Sequence, residues 1–196
     1  MSKTVEFFFD LGSPASYLAW TQLPALCARH AAQLRYRPML LGGVFQATGN
    51  ASPAMIPAKA RYVFADFQRY AKRYGVTLAF PPGFPINTLG LMRGTIAVQQ
   101  YQPERFEAYL TALFQAMWVQ QRNVGDPQVL AAVLQEAGFD PEQYLAWTAE
   151  PGVKAALKEA TEEAVRRGTF GAPTFFVGEQ MFFGQDRLEF VEAALA

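Results

Sequence analysis

With one cysteine and one histidine among 196 residues, the chain has little from which to build the commonest catalytic and metal sites. A lone Cys27 excludes an intrachain disulfide, a Cys-x-x-Cys redox pair and a cysteine-built metal centre, and so fits a reducing compartment. A lone His30 leaves a zinc site short of ligands and a Ser-His-Asp triad with only one candidate base. Its polar surroundings, Ala-Arg-His-Ala-Ala-Gln, place it on the surface. Net charge is lacking too. Seventeen basic side chains cancel seventeen acidic ones, so no global field draws the protein to nucleic acid or to an acidic membrane, and neither is expected as a partner. The apolar run before Asp10 is too short for a signal-peptide core, and no stretch approaches a membrane span, so cytoplasmic residence is expected. Repeats, low-complexity tracts and flexible linkers are missing as well.

What the chain does have is apolar content, 51% of its residues, enough for a real core in one domain or in one domain with an insertion. Val5 to Phe9 reads as a buried strand, Asp10 to Ser13 as a sharp turn, and Pro14 onward as a helix. Ser13 before Pro14 is a helix-start signal, because the hydroxyl satisfies an orphan backbone donor and proline has no N–H to leave unpaired. A second reading stays open. A hydroxyl at a strand's carboxyl end, beside a helix's positive end, suits an anion such as a thiolate.

The helix from Ala15 to Ala32 carries Tyr17, Leu18, Trp20, Leu23, Leu26 and Cys27 on one stripe, with a kink expected at Pro24 and Cys27 expected as a buried small hydrophobe. Leu34 to Leu41 reads as a second strand, parallel to the first. Gly42-Gly43 is expected to break the pattern, after which helices follow to Arg167. Their starts are marked by Pro57, Asn87, Pro103, Asp126-Pro127, Asp140-Pro141 and Pro151. Phe106 to Trp118 has the threes-and-fours spacing of one core-facing stripe. Thr174 to Val177 and Gln180 to Phe183 form a hairpin about Gly178-Glu179, and Asp186 to Leu195 a last helix. The fold class is therefore α/β, a thioredoxin-like fold with an inserted all-helical domain. Residues 1–42 and 168–196 make the discontinuous thioredoxin-like part, 43–167 make the insertion, and helix 151–167 joins them.

The stretch Phe-Phe-Asp-Leu-Gly-Ser-Pro-Ala-Ser-Tyr-Leu-Ala resembles the opening of the 2-hydroxychromene-2-carboxylate isomerases and of the kappa-class glutathione transferases, within the DsbA-like branch of thioredoxin folds. Further landmarks run in the family's order: Gly49-Asn50, Pro53-Ala54-Met55, Lys59, Asn87-Thr88-Leu89, Gly171-Ala172-Pro173-Thr174 and Phe183-Gly184-Gln185-Asp186-Arg187. A single Ser stands where oxidoreductase relatives carry the first Cys of Cys-x-x-Cys.

The resemblance implies glutathione as cofactor, with Ser13 holding its sulfur as thiolate. It implies that Ala172 and Pro173, in a loop that carries a cis-proline in the family, pair with the cysteinyl part. Gly184, Gln185 and Asp186 then hold the γ-glutamyl end. Asp186 with Glu189 also reads as a capping box. Asn50 and Lys59 match polar positions that face glutathione or substrate, and also suit a solvated surface. Phe84, in Phe80-Pro81-Pro82-Gly83-Phe84-Pro85, suits either stacking on an aromatic substrate or simple loop packing. No metal is implied, a small aromatic substrate is, and so is a homodimer. One departure bears on substrate: isomerases of naphthalene breakdown carry a Lys in the stretch matching Gly43–Gly49, which here reads Gly-Val-Phe-Gln-Ala-Thr-Gly. The expected activity is glutathione-dependent isomerisation of 2-hydroxychromene-2-carboxylate or a related aryl-conjugated keto acid. The alternatives are a kappa-class transferase or peroxidase, or a non-catalytic DsbA-like binding protein. A serine hydrolase is disfavoured, since Ser13 lacks the Gly-x-Ser-x-Gly elbow.

Overall fold

The computed structural model describes residues 3–196, so residues 1 and 2 of the expected first segment lie outside it. Strand β1 (Thr4–Phe9), helix α1 (Pro14–Arg29) and strand β2 (Gln33–Pro38) form a βαβ unit with parallel strands. The hairpin β3 (Thr174–Val177) and β4 (Gln180–Phe183) adds to the other edge of β1, antiparallel, giving the order β2-β1-β3-β4. Helix α9 (Leu188–Leu195) closes the chain.

The run Phe7-Phe8-Phe9 follows from that arrangement. Alternate residues of a strand face opposite sides, so a central strand covered on both faces is apolar throughout. Val5, Phe7 and Phe9 join the main core with Phe175 and Val177, while Phe8 and Phe176 join Met39, Val44 and Ala164 on the other face. That second face carries charge at its margin. Glu6 meets Arg167 at 2.7 Å and Arg37 at 3.8 Å, Arg37 also pairs with Glu163, and the Arg167 guanidinium lies 3.9 Å from the centre of the Phe176 ring. A cation over an aromatic face is attracted by the ring quadrupole, so the arginine covers the sheet rather than leaving it to water.

Between β2 and β3 the chain is helical: α2 (Leu41–Thr48), α3 (Pro57–Tyr74), α4 (Leu89–Tyr101), α5 (Phe106–Trp118), α6 (Pro127–Glu136), α7 (Pro141–Ala149) and α8 (Pro151–Arg166). Asp126 and Asp140 cap as their Asp-Pro pairs predict, each accepting from two backbone N–H groups. Two expectations, those for Gly42-Gly43 and for His30, need correction. Gly42-Gly43 lies inside α2 rather than breaking the pattern, because the Leu41 N–H finds an acceptor in the Asp10 carboxylate at 2.9 Å. Pro24, exposed, lies within α1. His30 is half-buried, its Nε2 3.1 Å from Glu192, which also accepts from Arg29. Cys27 is buried on the α1 stripe as expected.

Candidate active site

The turn that joins β1 to α1 is held by several hydrogen bonds. The Leu11 N–H lies 3.4 Å from the Met92 sulfur, and the Leu11 carbonyl accepts from the buried Trp118 indole at 3.0 Å. The Gly12 N–H donates to Asp10 Oδ1 at 2.9 Å and the Ser13 N–H to the Asp10 carbonyl at 3.0 Å. A side chain at Gly12 would meet Thr88 Cγ2 at 2.5 Å, so the close fit of turn against α4 requires glycine there. Asp10 itself is 1% exposed, and its second oxygen accepts from Leu41 N–H and from Thr88 Oγ1 at 3.0 Å. Burial raises its pKa; the hydrogen bonds from Leu41, Gly12 and Thr88 act in the opposite direction and only partly offset that.

Ser13 emerges from this turn as the N-cap of α1. Its Oγ accepts from the Ser16 N–H at 3.1 Å and donates to the Ala172 carbonyl at 3.2 Å. The Ala172-Pro173 peptide is cis, as is Phe84-Pro85. The Pro173 carbonyl accepts from the Gly184 N–H at 3.0 Å, tying that loop to the end of the hairpin. At Gly184 the φ of +99° is one that glycine adopts readily and a side chain would strain.

These segments line one cleft of about 660 Å3, within the size range of small-molecule sites. Ser13, Ala172, Gly184, Gln185, Asp186, Asn50 and Phe84 all border it. Gln185 is 5% exposed, and the Tyr74 hydroxyl donates to its carbonyl at 2.7 Å while its side-chain amide has no partner among the described residues. Burial pushes the Tyr74 phenol up to about 12, so at neutral pH it remains a donor. Asn50 donates to the Phe170 carbonyl at 2.8 Å. Phe84 borders the cleft and also packs on Phe64, Phe80 and Trp118, so loop packing and cleft lining coincide in one ring. Pro173 is buried behind Ala172 and is not part of the lining. Lys59 lies exposed on the first turn of α3, also outside the lining. The capping box is not formed: Asp186 pairs with Arg187 at 2.5 Å and Glu189 with Arg73 at 2.5 Å.

Asp10 and Thr88, and Phe64 and Phe45 from α3 and α2, join this site without having been singled out as functional by the sequence. A strand-ending Asp was the available signal. No reactive sulfur comes from the protein, since burial pushes the Cys27 thiol up to about 11. Among the described residues no cluster of His, Cys, Asp and Glu could hold a metal ion, and no helix is long and apolar enough to cross a membrane.

A mixed four-strand sheet interrupted by helices, with a strand-turn-helix start facing a cis-proline loop, defines a thioredoxin-like fold of the DsbA type. The DSBA-like thioredoxin domain matches residues 4–196, and the chain belongs to that family. It is 33% identical to the 2-hydroxychromene-2-carboxylate isomerase of Sphingobium xenophagum, an alignment covering 100% of this chain and 99% of that one. It is 32% identical to human glutathione S-transferase kappa 1, over 96% of this chain and 89% of that one. A solved 2-hydroxychromene-2-carboxylate isomerase superposes with a TM-score of 0.87 at 30% identity, over 98% of this chain and 94% of that one.

Proposed function

We propose that the protein is a glutathione-dependent isomerase acting on 2-hydroxychromene-2-carboxylate or a related aryl-conjugated keto acid. The observation that carries the reading is the Ser13 hydroxyl, at the α1 N-terminus and in the cleft, with no protein cysteine to supply the sulfur. Ser13, Gln185 and Asp186 would hold glutathione, which when bound would supply a thiolate able to add reversibly to a conjugated double bond, allow rotation about it and leave unconsumed.

Ser13 does not attack carbon. Its hydroxyl, which donates to the Ala172 carbonyl at 3.2 Å, would be the group that holds the sulfur. A hydrogen bond to a charged acceptor contributes about 1.5–3 kcal/mol and a helix N-terminus about 0.3–1 kcal/mol. At about 1.36 kcal/mol per pKa unit, this lowers a thiol near 8.5 by roughly one to three units, making thiolate a major form near neutrality. The unpartnered Gln185 amide and the Asp186 carboxylate suit the zwitterionic γ-glutamyl end, and the apolar walls, Phe84 among them, suit an aromatic substrate. Lys59, outside the lining, is left as a surface cation.

The glutathione-dependent spectral change of the chromene substrate tests this. Ser13→Ala should lower the rate about ten- to hundredfold, the loss that one charged hydrogen bond predicts. The variant also loses a helix cap, a cost of about 1 kcal/mol, so the assay belongs well below its melting temperature. An unchanged rate in Ser13→Ala overturns the mechanism. A kappa-type transferase or peroxidase is the second reading, favoured by the nearly equal identity to the human kappa enzyme and by the absence of Lys between Gly43 and Gly49. Turnover of a chloronitrobenzene or of cumene hydroperoxide, without turnover of the chromene, would select it.

A further inference from the structure

Behind α2 lies a second cavity, of about 860 Å3, that the cleft chemistry does not use. It runs along α8 between α2 and α4, both of which pack on α8. The two cavities share α2 as a partition. Leu41, Gly42 and Phe45 border the cleft, whereas Gly43, Gln46 and Ala47 border the second cavity, as opposite faces of one helix must.

The floor of this groove is apolar, formed by the buried Leu157 with the half-buried Leu40, Leu89 and Val165. Its charged lining is one-sided. Arg93, Lys154, Lys158 and Arg166 stand against a single carboxylate, Glu162, in a chain whose charges otherwise cancel. Arg166 is matched by Glu159 at 2.6 Å and Lys158 by Glu162 at 3.7 Å. Arg93 and Lys154 have no carboxylate partner among the described residues, and Arg93 is half-buried. A guanidinium partly withdrawn from water without a counter-charge is costly, and an anion beside it offsets that cost.

We infer that this groove binds a small amphipathic carboxylate. Arg93 and Lys154 take the head group, Arg93 through its two-pronged donor fork. The apolar body lies on Leu157, Leu89 and Val165. The site is independent of the glutathione reading, since it shares no polar group with the cleft.

The test uses the full chain with 8-anilinonaphthalene-1-sulfonate as fluorescent probe and decanoate as competitor. Because the cleft is also apolar, the wild type is compared with the pair Arg93→Glu/Lys154→Glu and with Gly42→Leu, whose side chain has open space and fills the cleft side of α2. We expect saturable probe binding to the wild type, displacement by decanoate and weakening by salt. The charge-reversed pair should lose about tenfold in affinity while Gly42→Leu stays within about twofold. Should the charge reversal prevent folding, Arg93→Gln alone should still weaken binding.

Salt-insensitive or absent binding, an unchanged affinity in the pair, or loss of binding in Gly42→Leu overturns the proposal. So does sedimentation of the wild type as a dimer and of the pair as a monomer, which would make a second copy the occupant.

Discussion

Asp10 ties three segments together: its side chain joins the turn before Ser13, the start of α2 and the residue before α4. Its titration follows from its burial. The folded protein holds the carboxyl proton more tightly than the unfolded chain, whose value lies near 3.8. The contribution to stability is therefore full below that value and is lost as pH rises through the higher folded one. We expect the stability of the wild type relative to Asp10→Asn, from denaturant titrations, to fall as pH is raised above about 4. A difference that is flat or that grows with pH contradicts this. Ser13 was legible in the sequence because a capping hydroxyl before proline is a local signal. Asp10 was not, because two of its partners, Leu41 and Thr88, lie 31 and 78 residues away.

Among the elements, α1 carries an unusual cost in its first turn. Ser16 Oγ is fully buried and has no hydrogen-bond partner. An unsatisfied buried hydroxyl costs about 1–3 kcal/mol, and alanine is the better helix former. Ser16→Ala should therefore raise stability by about 1 kcal/mol, read as a higher urea midpoint at unchanged slope. A lower midpoint would mean that the hydroxyl is satisfied. Most element boundaries were legible from punctuation that acts within a turn or two, as at Pro57, Asp126-Pro127, Asp140-Pro141 and Pro151. The α2 helix was not, because it owes its first turn to a tertiary acceptor that no local pattern contains.

At the scale of the whole molecule, the glutathione reading makes a claim that needs no substrate. A ligand that binds only the folded state stabilises it by about 2.7 kcal/mol at a hundred times its dissociation constant. Millimolar glutathione should raise the melting temperature of the wild type, and raise that of Ser13→Ala by less; no shift in the wild type favours a binding protein that has lost the cofactor. The α/β class and the flanking of a helical block by strands were legible because βαβ and hairpin patterns are short-range. The second, cationic groove was not, since its charges converge from α4 and α8 only in the packed protein.

The strand order also has a consequence in time. β1 is flanked by β2, 29 residues along the chain by register, and by β3, which begins at residue 174. At roughly 5–20 residues per second of synthesis, the edge of β1 that β3 will occupy waits on the order of ten to thirty seconds for its partner. During that interval the Phe7-Phe8-Phe9 backbone presents an unpaired apolar edge on the nascent chain. The contact between Ser13 and Ala172 cannot exist before the interval ends, so the cleft gains its opposite wall only late in synthesis.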